Sequence, residues 1–200
     1  MNLIDRLNAL DARRQAWPSS YVLDVRESSR YRTLLILGLT AESCAIEGNP
    51  YSFEQVLRLL GQRSGPSEHA PEPTREILNH RDAMLMLFRL LGEPEPVSAF
   101  HIRQLHYLVL RGIDADAAGR YRLGAVTISG ASFKPIDGFE VSAAMDELMR
   151  WYGVEAQALH PVLRAAELHA RFIEIHPFTD GNGRTGRLLM TLSLLRDGYP

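Results

Sequence analysis

Apolar residues recur at helical spacing along nearly the whole of this 200-residue chain, and the breaks between them fall at proline and glycine. A pattern of that kind commits the chain to helices packed on one another. Leu3, Leu7 and Leu10 form a first short stripe, which Trp17-Pro18-Ser19-Ser20 interrupts. A longer helix is predicted from about Leu23 to Glu47, centred on Leu34, Leu35, Ile36, Leu37 and Leu39. Gly48 suits its C-terminal cap, and Pro50 beyond cannot continue it. Ser52 with Gln55 forms a capping box that opens a helix through Leu60. The run 61–73, with three prolines and two glycines, is a surface loop. Further helices are expected at about Thr74–Leu91, Ser98–Arg111, Val141–Tyr152, Pro161–Ile175 and Arg184–Arg196.

One stretch departs from this rhythm. Ala125-Val126-Thr127-Ile128-Ser129 alternates at period two, Gly130-Ala131 can turn, and Ser132-Phe133-Lys134-Pro135 can return. The pattern predicts a short β-hairpin, and since two strands alone are marginal, it should lie on the helical body as a flap. Several classes are excluded at this level. A single cysteine, Cys44, rules out an intrachain disulfide and any CxxC site. The longest apolar runs fall far short of the ~20 residues of a membrane span. The N-terminus lacks the order of a signal peptide, so a cytoplasmic location is expected. With a formal net charge of −2 there is no general positive field to recruit nucleic acid or acidic lipid. Lys134 is the only lysine, so any phosphate site must use guanidinium groups or backbone amides.

The chemistry concentrates in the loop between the last two helices, His176-Pro177-Phe178-Thr179-Asp180-Gly181-Asn182-Gly183-Arg184-Thr185-Gly186-Arg187. Gly181, Asn182 and Gly183 sit where a loop enters a helix, so their N–H groups can converge on an anion that the helix dipole also favours. Arg184 and Arg187 are three apart and share a helix face, within reach of one phosphate chain. Asp180 places a carboxylate beside that anion site, a conflict that a bridging Mg²⁺ removes. His176 is the one group here that can accept a proton near neutral pH. Phe178 should be a buried wedge fixing the loop's path. His69, His80, His101, His106, His160 and His169 show no metal-ligand spacing and are expected to be structural or solvated. Base, carboxylate, cradle and two arginines together describe phosphate-transfer chemistry.

The same run resembles the signature of Fic-domain proteins, His-Pro-Phe-x-x-Gly-Asn-Gly-Arg-x-x-Arg, at every fixed position. Gly119-Arg120-Tyr121-Arg122 resembles that family's entry to its target-positioning flap, and Met145, Leu148 and Trp151 the helix that follows. The resemblance covers roughly Ser98 to the C-terminus. It implies an all-α Fic-type domain with a hairpin flap, and transfer of AMP from ATP, with Mg²⁺, to a Ser, Thr or Tyr hydroxyl of a protein target. His176 would deprotonate that hydroxyl, Asp180 would hold Mg²⁺, and Asn182 with the amides around Gly181 and Gly183 would orient the α-phosphate. Arg184 and Arg187 would hold the β- and γ-phosphates. The flap reads Phe133-Lys134-Pro135-Ile136 where relatives often carry a Pro-Pro pair, which leaves target docking open. Some relatives transfer UMP or phosphocholine, or phosphorylate. The chain ends at Gly198-Tyr199-Pro200, where many relatives continue into helices enclosing the base. It is therefore expected either to be a piece of a longer protein or to select the base loosely.

Ser43-Cys44-Ala45-Ile46-Glu47-Gly48-Asn49 ends the long early helix, with Ser43 and Glu47 on one face. Glutamate at a helix C-terminus is mildly unfavourable, so a cationic partner is expected. The segment resembles the Ser/Thr-x-x-x-Glu-Gly inhibitory motif of Fic proteins that carry their inhibitory helix at the N-terminus. That resemblance pairs Glu47 with Arg187, blocks the γ-phosphate site, and makes Ser43, Glu47 and Gly48 regulatory. The expected organisation is a helical segment 1–50 bearing the motif and a catalytic domain 51–200. Two other functions compete with a self-inhibited transferase: a hydrolase removing AMP with Glu47, and a nucleotide-sensing regulator without catalysis. Homo-oligomerisation is left open.

Overall fold

Proline and glycine set most of the helix boundaries. The computed structural model describes residues 2–16, 28–61, 70–127 and 133–199. Among these are α1 (Leu3–Ala16), α2 (Ser28–Ile46), α3 (Phe53–Gly61), α4 (Glu72–Leu91), α5 (Ala99–Leu110), α6 (Val141–Gly153), α7 (Pro161–Ile175) and α8 (Asn182–Arg196). Short 3-10 turns occupy Gly138–Glu140 and Glu155–Ala158. The capping box that opens α3 is formed: the Ser52 N–H donates to Gln55 Oε1 at 2.7 Å, and the Gln55 N–H donates to Ser52 Oγ at 3.3 Å. Gly48 ends α2 with φ 90°, and its N–H donates to the Ala45 carbonyl. The start of the predicted Leu23–Glu47 helix and the Trp17–Ser20 interruption lie outside the described residues.

The all-α class holds, while the hairpin is not found: no strand occurs among the described residues. Ala125–Thr127 and Phe133–Ile136 run as irregular chain, and the turn, with Ile128–Ser132, lies outside the described residues. At the two ends of this stretch the Gly124 and Ile136 carbonyls accept from the Arg122 guanidinium instead of from a ladder partner. Side-chain donors thus do the work that a marginal two-stranded ribbon would need from its own backbone.

The main core gathers Met84 and Leu87 of α4, Ile102 and Leu105 of α5, Met145 and Leu148 of α6, Phe172 of α7, and Leu188, Leu189 and Leu192 of α8 around Phe178. Gly186 lets α7 and α8 cross closely, because a Cβ there would lie 3.2–3.3 Å from His169, Phe172 and Ile173. A smaller cluster of Ala41, Cys44, Val56 and Ile77 joins the end of α2 to α3 and α4. No helix among the described residues is long and apolar enough to cross a membrane. This packing puts the loop joining α7 to α8 at the surface, with the end of α2 across it.

Candidate active site

His176 terminates α7 in the left-handed region (φ 49°, ψ 61°), the only non-glycine residue with positive φ among those described. This conformation disfavours a side chain and turns the chain sharply off the helix axis into the loop. The imidazole is half-buried, and its Nδ1 is buried with no hydrogen bond of normal geometry. Burial lowers its pKa, the Arg122 guanidinium adds to the effect, and the Ile173 carbonyl and Asp180 oppose it. The net direction favours the neutral ring, the form a proton acceptor must have.

Beyond His176 the loop closes on itself. Phe178 is fully buried, stacked on His106 with ring centroids 3.6 Å apart and planes within 3°. The Asn182 side chain turns inward, its Oδ1 accepting from the Phe178 N–H at 3.0 Å and its Nδ2 donating to the Phe178 carbonyl at 2.8 Å. What Asn182 lends the cradle is therefore the loop's shape, since its side chain is committed to that peptide. Gly181, at φ 71°, turns the chain into α8, which starts two residues before the predicted Arg184. His106 holds the loop from below: Nδ1 accepts from the Gly119 N–H and Nε2 donates to the Asp180 carbonyl, both at 2.9 Å. Those partners fix a neutral tautomer, and burial, the largest cause, pushes its pKa down to about 4.

Arg184 and Arg187 project from the first turns of α8, but into different surroundings. Arg184 is buried, with Nη1 3.1 Å from Glu76 Oε1 and Nη2 3.2 Å from Asp180 Oδ2. The other Glu76 oxygen accepts from Asn49 Nδ2 at 2.7 Å, which ties Arg184 to the turn after α2. Arg187 meets α2 directly. Its Nε donates to Ser43 Oγ at 2.9 Å, and Nη2 donates to the Ser43 carbonyl at 2.9 Å and to Glu47 Oε1 at 2.7 Å. The Glu47 carboxylate lies so near the first turn of α8 that a Cβ on Gly183 would sit 2.3 Å from Oε1. An intramolecular anion thus rests at the helix N-terminus, where the dipole and convergent amides favour negative charge.

Asp180 is the exposed carboxylate of the loop, its side chain 64% exposed. Among the described residues no three His, Cys, Asp or Glu side chains cluster as a metal cage. Mg²⁺ commonly binds through one or two carboxylates completed by substrate phosphates, and a solvent-facing hard oxygen beside an anion cradle fits that mode. The predicted residues thus meet in one place: His176, Asp180 and Gly181–Arg187 in the loop, with Ser43 and Glu47 facing them and Gly48 capping the helix that carries the pair. The supporting residues Glu76, His106 and Asn49 carried no signal in the sequence, being ordinary residue types whose roles arise only from packing.

Residues 96–194 match the profile of the family described as Fic, Fic/DOC family. The protein adenylyltransferase Fic of Drosophila persimilis is 32% identical over 200 aligned positions, taking in 98% of this chain and 38% of the relative. The chain therefore spans under two-fifths of that relative's length. A Fic-domain-containing signaling protein from Bacteroides thetaiotaomicron superimposes with a TM-score of 0.80 at 30% identity, covering 97% of this chain and 74% of the other. Fic-1 from C. elegans gives a TM-score of 0.80 at 28% identity, with 98% and 59% covered.

Proposed function

The chain belongs to the Fic/DOC family, and on that footing we propose that it is a self-inhibited protein adenylyltransferase. AMP would pass from ATP to a Ser, Thr or Tyr hydroxyl of a target protein. The observation that carries this reading is the constellation at the head of α8: a half-buried imidazole, a glycine-lined helix N-terminus and two arginines, with an intramolecular carboxylate lying against it. In the reaction, the target oxygen forms a bond to the α-phosphorus and the bond to the bridging oxygen breaks, releasing pyrophosphate. The hydroxyl proton goes to His176, and with Nδ1 buried, Nε2 is the atom assigned to take it. The amides of Gly181–Gly183 face the α-phosphate, and Arg184 and Arg187 hold the β- and γ-phosphates. Asp180 would hold Mg²⁺, which when bound offsets phosphate charge.

Self-inhibition follows from charge and space. The Glu47 carboxylate uses Arg187 donors that a γ-phosphate needs, and it repels the triphosphate it displaces. Its place over Gly183 also favours a second activity, removal of AMP from a modified protein by water oriented on Glu47. That activity would vanish in Glu47→Gly, the same change that releases transfer.

The test is incubation of Glu47→Gly protein with Mg²⁺, a cell lysate and ATP labelled at either the α- or the γ-phosphate. Label entering protein from the α-position only is the expected result. Label from the γ-position would make the protein a kinase, and no label from either would defeat the transferase reading.

A further inference from the structure

Arg122 is 3% exposed, and the partners of its guanidinium are backbone carbonyls. Nε donates to His176 at 2.7 Å, Nη1 to Gly124 at 2.8 Å, and Nη2 to Ile136 at 2.6 Å and Ile175 at 3.2 Å. Its own N–H donates to the Pro177 carbonyl at 3.0 Å. Three consecutive carbonyls, at positions 175, 176 and 177, therefore accept from one residue, across the left-handed turn at His176. A strained backbone persists only where its surroundings over-determine it, and here they do so through Arg122. A buried guanidinium is costly even when satisfied, and an apolar residue would fill the space more cheaply. Its presence therefore points to cross-linking. The flap base closes beside it: a Cβ on Gly138 would lie 2.1 Å from the Leu123 carbonyl oxygen, so the two arms pass in backbone contact.

We propose that Arg122 is a positioning residue that ties the flap base, at Gly124 and Ile136, to the backbone of His176, so that Gly124, Ile136 and His176 are held as one body. The proposal rests on the transferase reading for what the flap and the imidazole do, and on the hydrogen bonds alone for the coupling. Lysine cannot replace the planar fork, because its three donors leave a single tetrahedral nitrogen. The charges acting on the imidazole are Arg122, from the flap base, and Asp180, from the loop. Arg122 opposes protonation, so Arg122→Met should raise the pKa of His176 and move the acid limb of kcat to higher pH, whereas Arg122→Lys keeps the charge and should move it less.

The experiment uses Arg122→Lys and Arg122→Met in the Glu47→Gly protein. With the base misplaced and the phosphate cradle untouched, kcat for transfer should fall by about tenfold in the lysine variant and about a hundredfold in the methionine variant, with KM for ATP within about twofold. Labelled-histidine NMR should show His176 titrating at higher pH in Arg122→Met. A kcat within about twofold of the parent in both variants, or loss of kcat matched by a rise in KM for ATP, would overturn the proposal. So would an unchanged His176 titration in Arg122→Met. If the methionine variant does not fold, the kcat-against-KM split in the lysine variant decides. A parent inactive with every donor would defeat the transferase reading, and amide hydrogen exchange would still decide the coupling: faster exchange in Arg122→Lys at both the flap base and the His176 turn supports it, and unchanged exchange at either overturns it.

Discussion

The loop joining α7 to α8 is fixed from inside the core, whereas the end of α2 that lies across it is held by polar contacts and small side chains. Phe178 is enclosed by His106, Tyr121 and Phe172, and Asn182 bonds both polar groups of the Phe178 peptide. In the last two turns of α2, the buried side chains are Thr40, Ala41, Ser43 and Cys44, none larger than threonine. Ile46 on the same stretch is 66% exposed. A fully buried large apolar side chain contributes about 1.5–3 kcal/mol, and this stretch of α2 supplies none. Besides the small cluster that Ala41 and Cys44 form with Val56 and Ile77, its holds include Thr40 Oγ1 to His80 Nδ1 at 3.1 Å and the Ser43 and Glu47 contacts to Arg187. The difference teaches that the loop is anchored by large buried side chains and the end of α2 by small ones and polar contacts, as the proposed self-inhibition requires of a cover that a nucleotide displaces. A phosphate can compete for hydrogen bonds to Arg187 far more readily than it could dislodge Phe178.

The largest effect separates chemistry from binding within the loop. In the Glu47→Gly background, His176→Ala should lower transfer by about 10²–10⁴-fold while ATP affinity stays unchanged. Wild-type transfer rates in that variant would break the assignment of the base. Asp180→Ala in the same background should abolish the Mg²⁺ dependence of transfer, read as rates with and without added metal. A variant that still responds to Mg²⁺ would remove Asp180 from that role.

Acid should weaken the loop's support. The pKa of His106 is pushed down to about 4, so the folded protein resists a proton that the unfolded chain takes near its ordinary value of 6.5. The stability from its neutral form is therefore complete above that ordinary value and is lost as pH falls toward the folded one. Between pH 7 and 5 the loss is about 2 kcal/mol from this residue. His106→Gln should flatten that part of the Tm profile, leaving the shares from His80, whose pKa burial depresses to about 3, and from His169 and His176, which burial also lowers. An unaltered acid profile in His106→Gln would contradict the neutral clamp. The smallest effect is at the cover's second contact. Ser43→Ala removes the hydroxyl that Arg187 Nε meets and leaves the Ser43 carbonyl bonded. About 0.5–1.5 kcal/mol per hydrogen bond makes a several-fold rise in transfer the expected outcome.

These two regions were also unequally legible in the sequence. The loop could be read because its residues are contiguous: twelve positions carry base, carboxylate, cradle and arginines in order. Glu47 could be read because its segment resembles an inhibitory motif; the helix C-terminus by itself calls only for some cation, and Arg187 supplies it. Helix positions followed from Pro, Gly and the Ser52 cap. The supports could not be read, since His106 meets Asp180 across 74 residues and Glu76 meets Arg184 across 108. Nothing local distinguishes such a histidine or glutamate from a solvated one. The alternation that begins at Ala125 gave a strand expectation, but a period of two also fits the irregular chain seen at Ala125–Thr127, and nothing local announces the bond from Arg122 to Ile136 at its base.

The claim that α2 covers a cradle already built is tested most directly by titrating ATP into the wild-type protein, Glu47→Gly and Arg187→Ala, with Mg²⁺ present, and reading affinity by calorimetry. A charge-assisted pair worth about 1.5–3 kcal/mol predicts at least tenfold tighter ATP binding in Glu47→Gly than in the wild type. Arg187→Ala should show no such gain, because it removes a phosphate ligand together with the cover's partner. Equal affinity in the wild type and Glu47→Gly would contradict the account.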